Sequence, residues 1–444
     1  MGFQQGLSGL NVSSKSLEVI GNNVANANTY GAKASRAEFA DMYAASLGGG
    51  GSNGIGIGAR LASVAQQFTQ GNVTTTANSM DLAINGRGFF ALSTSQGETV
   101  YSRNGQFKRD QNGFIINNEK HQLLGQALDD SGAPAGPAGT PIQLTNDGSP
   151  PQKATAISIT ANLDSRATVL GANDASGTFV PTPIDFSSAR SYNFVTSQTA
   201  YGDNGAPIAL NYYFKKTADP TPGDATAVPP DPGTGGTWDV YLSADGNTNA
   251  ASVQDDGGTP AVPTPIATFT YNADGSLPAG TIFTIPSIPG GNNGQPLTGV
   301  TIDMSSNTEY SGAYAVTDLT GGGYAQGNLS DFLIETDGTV KARYTNGQSK
   351  AIARVQLADF KNLNGLQPVG ANEWKPTNLS GDPLPLGTPG SGVYGLLQSG
   401  ALEESNVDLT GELVNMIVAQ RAYQANAQTI KAEDQVLQTL VNLR

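Results

Sequence analysis

Side chains that could support catalysis are sparse in this sequence. His121 is the only histidine among 444 residues, and there is no cysteine. A serine–histidine–aspartate triad, a multi-histidine metal site or a histidine acid–base pair would therefore rest on one residue. The neighbours of His121, Glu119-Lys-His-Gln-Leu, are typical of a turn or a strand edge. We interpret His121 as a solvated surface residue, and the sequence predicts no catalytic residue, no metal site and no cofactor.

Two other patterns that could bind a ligand have ordinary structural explanations. The paired carboxylates at 129–130 and 255–256 lie in glycine-containing stretches, where acidic residues favour turns. The Gly-x-Gly-x-Gly at 54–58 lacks the Lys-Ser/Thr of a phosphate-binding loop. We interpret the glycine-rich stretch 48–58 as a flexible joint. A secreted β-rich hydrolase or a carbohydrate-binding protein stays open on composition alone, although no motif supports it.

The composition excludes several classes of partner. The formal net charge is -14 and only 14% of the residues are charged, whereas nucleic acid and anionic membranes attract basic surfaces. We expect no nucleic acid partner and no membrane insertion, since no stretch approaches the roughly 18 apolar residues of a membrane span. No basic residue precedes Lys15 and no apolar run of signal-peptide length is present. We therefore expect export without a cleaved signal peptide.

The end of the chain is predicted to form one long amphipathic helix, from Leu402 to Arg444, with a single glycine and no proline. Its larger apolar residues repeat every seven positions, and two more lie on a flanking seam four residues on. These residues are Leu409, Met416, Tyr423, Ile430 and Leu437, followed by Leu413 and Val441. The remaining seam positions, Gln420, Ala427 and Asp434, are weak. A simple two-stranded zipper is therefore not expected.

The start of the chain has a matching pattern, which predicts a helix from Gly2 to about Asn28. Its apolar residues with sevenfold spacing are Phe3, Leu10, Leu17 and Val24, with Leu7 on the second seam. Asparagine and glycine are dense from Gly21 onward, and at this density they end helices. We predict that the two ends pair as a coiled-coil-like rod. Two amphipathic helices packed on an ordinary domain are the alternative.

Between the helices the sequence predicts β-structure. Asn-Gly pairs at 104 and 112 lie between strand-forming runs and predict a meander. Residues 150–310 hold 17 of the 25 prolines and carry 14 acidic against 5 basic side chains. Four alternating runs there predict strands: Tyr192 to Thr196, Ile208 to Phe214, Trp238 to Leu242 and Ile266 to Tyr271. We interpret this stretch as an inserted β-domain, because its aromatic and β-branched content disfavours a disordered acidic spacer.

Three parts of the sequence resemble motifs of one family, the bacterial flagellar rod and hook axial proteins. The family's N-terminal motif is similar to Leu17-Glu-Val-Ile-Gly-Asn-Asn-Val-Ala-Asn-Ala-Asn-Thr-Tyr-Gly. Its β-domain signature is similar to Asp81-Leu-Ala-Ile-Asn-Gly-Arg-Gly-Phe-Phe, Tyr101-Ser-Arg-Asn-Gly-Gln-Phe and Gly113-Phe. Its C-terminal motif is similar to Ser405-Asn-Val-Asp-Leu and the run from Leu413 to Ile430. The matches occur in the family's order, and the resemblance covers about 1–145 and about 315–444.

The pattern and the resemblance together predict a multidomain, mainly β fold with α-helical termini and nested β-domains in the middle. We expect four regions, three of which are built from two separate segments. They are a terminal helical core domain (1–30 and 401–444), a linker region (31–74 and 361–400), an inner β-domain (75–148 and 301–360) and an inserted outer β-domain (149–300).

The resemblance implies a structural subunit and not an enzyme. A hook subunit would self-assemble into a helical tube that encloses the export channel and acts as a universal joint, transmitting torque from rod to filament. The distal rod subunit is the alternative within the family, but an insertion of about 150 residues suits the hook. The implied location is extracellular, in the flagellum. The implied partners are further copies of the chain, the rod, the hook cap, the hook–filament junction proteins and the export apparatus.

The same resemblance implies a role for the terminal helices. The subunit interface would be formed by Phe3, Leu7, Leu10, Leu17, Val24, Leu409, Leu413, Met416, Tyr423, Ile430, Leu437 and Val441. The polar residues of the last helix would face the channel or neighbouring subunits, or else solvent: Gln420, Gln424, Asn426, Gln428 and Gln435. Because isolated helices are marginal in water, we expect both ends to be at most partly helical in the monomer and to fold on assembly.

Overall fold

The fold is mainly β, with one long α-helix at each end of the chain. The computed structural model describes residues 2–42, 56–173, 179–224, 226, 231–245, 263–278, 282–288 and 297–442. Helix α1 spans Gly2–Ala25 and helix α2 spans Leu409–Asn442. The predicted fold class, a β-rich middle between paired terminal helices, is confirmed. Most of the glycine-rich stretch predicted as a joint, and Asp255-Asp256, lie outside the described residues.

The strands follow in three groups along the chain. The first group is β1 (Ser35–Met42), β2 (Gly58–Gln66), β3 (Val73–Thr75), β4 (Leu82–Asn85), β5 (Phe89–Ser93), β6 (Thr99–Ser102), β7 (Lys108–Arg109), β8 (Ile115–Ile116), β9 (Gln122–Ala127) and β10 (Thr140–Pro141). The second is β11 (Ala156–Asn162), β12 (Gly171–Asn173), β13 (Phe179–Pro181), β14 (Phe194–Tyr201), β15 (Pro207–Ala218), β16 (Thr221–Asp224), β17 (Asp231–Ala244), β18 (Ala267–Asn272), β19 (Ile282–Ile288), β20 (Leu297–Asp303) and β21 (Ala315–Gly321). The third is β22 (Leu329–Ile334), β23 (Thr339–Tyr344), β24 (Ser349–Val355), β25 (Leu357–Ala358), β26 (Gln367–Gly370), β27 (Glu373–Lys375), β28 (Leu396–Ser399) and β29 (Ala401–Glu403).

The first compact unit contains both helices and most strands of the first and third groups. It comprises Met1–Asn146, Ser330–Arg343 and Ser349–Arg444. Its main sheet has the order β22-β23-β24-β9-β5-β6-β27-β26. Aromatic rings in edge-to-face contact fill its core: Phe89, Phe360 and Trp374 are at most 2% exposed. Such rings contribute a large buried apolar area with a defined geometry, so this core is specific.

The second unit comprises Asp147–Leu329 and Tyr344–Gln348. One sheet has the order β14-β15-β17-β16, with β18 paired to β17, and another has the order β19-β20-β11-β21. Trp238, Tyr212 and Phe269 are buried in its core. The four strands predicted from alternation correspond to β14, β15, β17 and β18 and are confirmed. The unit extends beyond the expected 149–300 because β21 pairs antiparallel with β11.

One expectation about the segments that flank the helices is wrong. Helix α2 begins at Leu409 and not at Leu402, because residues 401–403 pair with β3 as strand β29. Asp408 then starts the helix, with its Oδ1 accepting from the Thr410 amide at 3.1 Å. The predicted linkers 31–74 and 361–400 contain the antiparallel β1–β2 hairpin, strands β26 to β28 and the buried Trp374.

Candidate functional site

The two terminal helices pack against each other through small residues. The order of the contacts shows that they run antiparallel: Gly6 lies opposite Ile430, and Gly9 lies opposite Asn426. A Cβ atom at Gly6 would lie 2.9 Å from Ile430 Cγ1, and one at Gly9 would lie 2.7 Å from Asn426 Nδ2. Both distances are shorter than an ordinary contact, so a larger residue would require the facing side chain to move or the helices to separate. The predicted pairing of the two ends is therefore present, and glycine sets its close approach.

Most of the predicted interface residues do not lie inside this helix pair. Six of them are well exposed in the single chain: Phe3 (46%), Leu7 (45%), Leu409 (43%), Leu413 (45%), Tyr423 (38%) and Leu437 (53%). Five others are half-buried: Leu10, Leu17, Val24, Met416 and Ile430. The side chain of Val441 lies outside the described residues. Six of the eleven described residues in the predicted subunit interface are thus well exposed in the single chain.

The second seam of α2 lies three residues after the first, not four. Ala419 and Asn426 occupy it, and Ala419 is only 9% exposed, whereas Leu413 points away. Residues three and four positions after a seam residue both lie on its face of the helix, and here α1 covers the positions at an interval of three. Among the polar residues of α2, Asn426 is half-buried beside α1, while Gln420, Gln424, Gln428 and Gln435 are exposed.

Three exposed apolar residues at the start of α2 were not predicted. Val414, Ile417 and Val418 are 56%, 51% and 60% exposed and join Leu409 and Leu413 on the first three turns of the helix. We call these five residues the apolar patch. The sequence could have indicated this patch, because the run Leu413-Val-Asn-Met-Ile-Val places apolar residues on several sides of the helix. A helix that is apolar all round is normally buried. Such a concentration of exposed aliphatic side chains marks a surface that a partner covers.

Helix α1 is fixed to the β1–β2 hairpin by polar contacts at both ends. Ser8 Oγ donates to Ala59 O at 2.6 Å and accepts from Ala59 N at 2.8 Å. Near the other end, Asn23 Nδ2 donates to Ser35 O at 2.7 Å and its Oδ1 accepts from Ser35 N at 2.8 Å. Each pair of bonds satisfies backbone groups on one strand, so hairpin and helix hold a fixed register.

A buried ion cluster, which we call the anchor, joins three distant parts of the first unit. Glu403 Oε1 is 2.5 Å from Lys33 Nζ, and Glu403 Oε2 is 3.0 Å from Arg103 NH1. The side chains of Lys33 and Glu403 are fully buried. Burial lowers the pKa of Lys33, and the Glu403 carboxylate opposes that shift. Breaking such a cluster by removing one partner leaves an uncompensated buried charge, which is strongly destabilising.

Backbone contacts complete the connection between the helices and the β-structure. Gly31 N donates to Glu403 O at 2.8 Å, and Gly71 N donates to Glu403 Oε1 at 2.9 Å. Asn406 accepts from Ala34 N at 2.7 Å and donates to Gln67 O at 2.7 Å. The segment after α1 and the segment before α2 are therefore bonded to each other and to the strands. A displacement of the helix pair would be passed directly to the β-structure.

His121 is not the solvated residue that we expected. Its Nδ1 lies 2.9 Å from Glu373 Oε1, and Asn117 Nδ2 donates to the same oxygen at 2.7 Å. Glu373 is only 4% exposed, so the imidazole serves to satisfy a buried carboxylate. Among the described residues, no three His, Cys, Asp or Glu side chains group so that they could hold a metal ion. No helix in the same part of the chain has the length and apolar character that a membrane crossing requires.

Four models of protein families match separate parts of the chain, the first beginning at residue 3 and the last ending at residue 443. Their descriptions and matched residues are "Flagella basal body rod protein" (3–33), "Flagellar hook protein FlgE/F/G D1 domain" (83–162), "Flagellar basal body protein FlaE D2 domain" (162–324) and "Flagellar basal body rod FlgEFG protein C-terminal" (398–443). The helix pair, the nested β-units and these matches define the class: a flagellar axial protein of the rod and hook type.

Similarity over the whole chain identifies the family within that class. The chain is 39% identical to flagellar hook protein FlgE of Escherichia coli (strain K12) over 452 residues, covering 100% of both chains. It is 40% identical to flagellar hook protein FlgE of Salmonella typhimurium, again covering 100% of both. The hook protein of Brucella suis is 29% identical over 447 residues. The chain belongs to the flagellar hook protein FlgE family.

Proposed function

We propose that this chain is the structural subunit of a bacterial flagellar hook and that many copies assemble into a helical tube. The observation that carries the proposal is the exposure of large aliphatic and aromatic side chains on both terminal helices of the single chain, with six predicted interface residues between 38% and 53% exposed. Burying such residues against neighbouring copies removes apolar surface from water and stabilises a polymer. Membership of the hook protein family also supports the proposal that the chain is a hook subunit.

The tube would enclose the export channel and act as a universal joint that transmits torque from the rod to the filament. The anchor supports this role, because it connects the helix pair to the β-structure through buried charges and backbone bonds. The further partners that we propose are the rod, the hook cap, the hook–filament junction proteins and the export apparatus. We also propose an extracellular location in the flagellum.

We propose that the chain has no catalytic activity of its own. His121 contacts the buried Glu373 instead of a nucleophile, and the chain has no cysteine. A secreted hydrolase, the alternative of another class, would stay monomeric when concentrated. Its turnover would vanish with His121→Gln.

Electron microscopy of the concentrated, purified chain tests the proposal. We expect tubes, and discrete monomers at every concentration would overturn it. A variant without the second unit tests which unit carries the polymer contacts. Ser149 N donates to Gly327 O at 2.8 Å and Gly327 N donates to Ser149 O at 3.1 Å, so a short Gly-Ser linker can replace residues 150–326. We expect this variant to polymerise with altered curvature or stiffness. A folded variant that remained monomeric would place the second unit in the assembly core.

A further inference from the structure

A groove runs between helix α1 and the β1–β2 hairpin. It has a volume of about 510 Å³, within the range of about 300–1,000 Å³ typical of clefts that hold a ligand. Five side chains make it largely aliphatic: Leu7, Val12, Met42, Ile57 and Leu61. Leu7 is 45% exposed at its edge. The hydrogen bonds of Ser8 to the hairpin hold the two walls together, so the groove is built into the fold.

The charged side chains that line the groove have one sign. Lys15 and Arg60 line it, and no acidic residue does. Lys15 also forms an exposed ion pair with Glu18 on α1 at 2.7 Å, a type of pair that contributes little. A partner with an aliphatic surface and acidic neighbours would fit this groove in both respects.

The apolar patch at the start of α2 is a surface of that kind. Its five aliphatic residues are 43% to 60% exposed, and the segment 404–418 contains Glu404, Asp408 and Glu412 without a basic residue. The patch therefore matches the groove in both apolar character and charge.

The patch of a chain cannot reach the groove of the same chain. Gly9, in the half of α1 that lines the groove, lies opposite Asn426 in the antiparallel helix pair. The interval from Leu413 to Asn426 is roughly 20 Å of helix at about 1.5 Å per residue. Groove and patch thus lie at different positions along the helix pair, and each lacks a partner from its own chain among the described residues.

We propose that the apolar patch of one copy docks in the groove of a second copy, with Leu413 and Ile417 entering between α1 and the hairpin and Arg60 facing the acidic start of the helix. The contact is heterologous, because it joins two different surfaces, and a heterologous contact that does not close into a ring generates an open helical polymer. The proposal rests on the proposed function and deepens it by assigning one contact that sets the direction of growth.

Cysteine cross-linking tests this contact, because the chain has no cysteine of its own. The double variant Leu61→Cys/Ile417→Cys is polymerised and treated with a short bismaleimide cross-linker. We expect a ladder of covalent oligomers on a denaturing gel. The matched control is Leu61→Cys/Val436→Cys, since Val436 is also exposed on α2 (56%) but lies outside the patch. The control should give at least tenfold less cross-linked product.

Normal tubes without a ladder, or equal ladders from both variants, would overturn the docking proposal and leave the proposed function standing. A chain without any substitution that forms no tubes would instead overturn the proposed function. Should the double cysteine variant fail to polymerise, mixing two other variants keeps the test decisive. Ile417→Asp has an intact groove and Leu61→Asp an intact patch, so the two should form heterodimers on mixing while neither elongates alone. Elongation of either variant alone, or no association on mixing, would overturn the docking.

Discussion

Large apolar side chains are buried in the β-core of the first unit but exposed on the terminal helices. In the core, Phe89, Phe360 and Trp374 are at most 2% exposed. On the helices, Phe3 and Ile417 are 46% and 51% exposed. Burying a large apolar side chain contributes about 1.5–3 kcal/mol, and the helices leave much of that contribution unused. The β-core is thus complete within one chain, whereas the helices need neighbours.

The anchor marks the boundary between these two regions. Lys33 and Arg103 both pair with Glu403 within one chain. Beyond the anchor, ordering the backbone costs about 1–2 kcal/mol per residue, and the helix pair within one chain is held by glycine contacts and few buried aliphatic side chains. We infer that β-structure and anchor fold in the monomer, while α1 and α2 gain most of their stability on assembly.

The largest effect is expected from a charge in the helix pair. Ile430→Asp would place a carboxylate against Gly6, where pairing of the helices removes it from water without a counter-ion. We expect polymer formation to be abolished in sedimentation assays, with the melting transition of the β-structure unchanged. Gln428→Asp adds the same charge on the exposed face of α2 and should polymerise normally. Tubes formed by Ile430→Asp would show that this seam is not required.

Removal of the anchor should have the converse effect, on the stability of the monomer. Glu403→Ala leaves Lys33 and Arg103 buried without their carboxylate. We expect a loss of about 3–5 kcal/mol in the free energy of unfolding, measured by chemical denaturation. Glu404→Gln is the control, because the Glu404 carboxylate accepts a long, exposed bond of 3.3 Å from Asn72 Nδ2 and forms no ion pair with the described residues. A loss below about 1 kcal/mol for Glu403→Ala would mean that the β-structure does not depend on the anchor.

A smaller effect concerns acid sensitivity of the second unit. The Ser305 hydroxyl and amide donate to Asp303 Oδ1 at 2.6 and 2.9 Å and lower the pKa of this carboxyl below its ordinary 3.8. The unfolded chain then binds the proton first as pH falls, so this stabilisation is present above about pH 4 and is lost as pH falls through the folded-state pKa. Ser305→Ala should therefore flatten the decline in unfolding free energy between about pH 5 and pH 2.

The control for acid sensitivity is Ser311→Ala, which alters an exposed serine elsewhere in the second unit. It should leave the acid dependence unchanged. An unchanged decline in the Ser305→Ala variant would mean that the hydrogen bonds at Asp303 do not stabilise the fold.

Local sequence patterns predicted much of the fold. The features that they did not predict depend on contacts between residues far apart in the sequence. The seven-residue repeat predicted α1, although to about Asn28 and not to its end at Ala25. Alternation of apolar and polar residues predicted the strands around Trp238. The anchor has no local signature, because Glu403 lies 370 residues from Lys33 and 300 from Arg103. The proline-flanked Trp374 gave no periodic signal either. Its position in the core depends on contacts with residues far along the chain, among them the pairing with Tyr101 across β6 and β27 and the ring contact with Phe89.

The seam of α2 shows the same limit of prediction from local patterns, here for the side chains of a single helix. Intervals of seven identified Met416 and Ile430 as residues that are at least half-buried. The choice between three and four residues for the second seam depends on which side the partner helix approaches, and that side is set by Gly6 and Gly9 on α1. A periodic pattern on one helix contains no information about the other.

Hydrogen–deuterium exchange of the backbone amides in dilute monomer and in assembled tubes tests the central claim most directly. We predict fast exchange for amides of α1 and α2 in the monomer, slow exchange for β5, β6 and β29 in both states, and strong protection of both helices in the tube. Local stability of the helices should rise on assembly while that of the strands stays constant. Helices that are already as well protected as β5 in the dilute monomer would contradict the claim that neighbouring copies complete them.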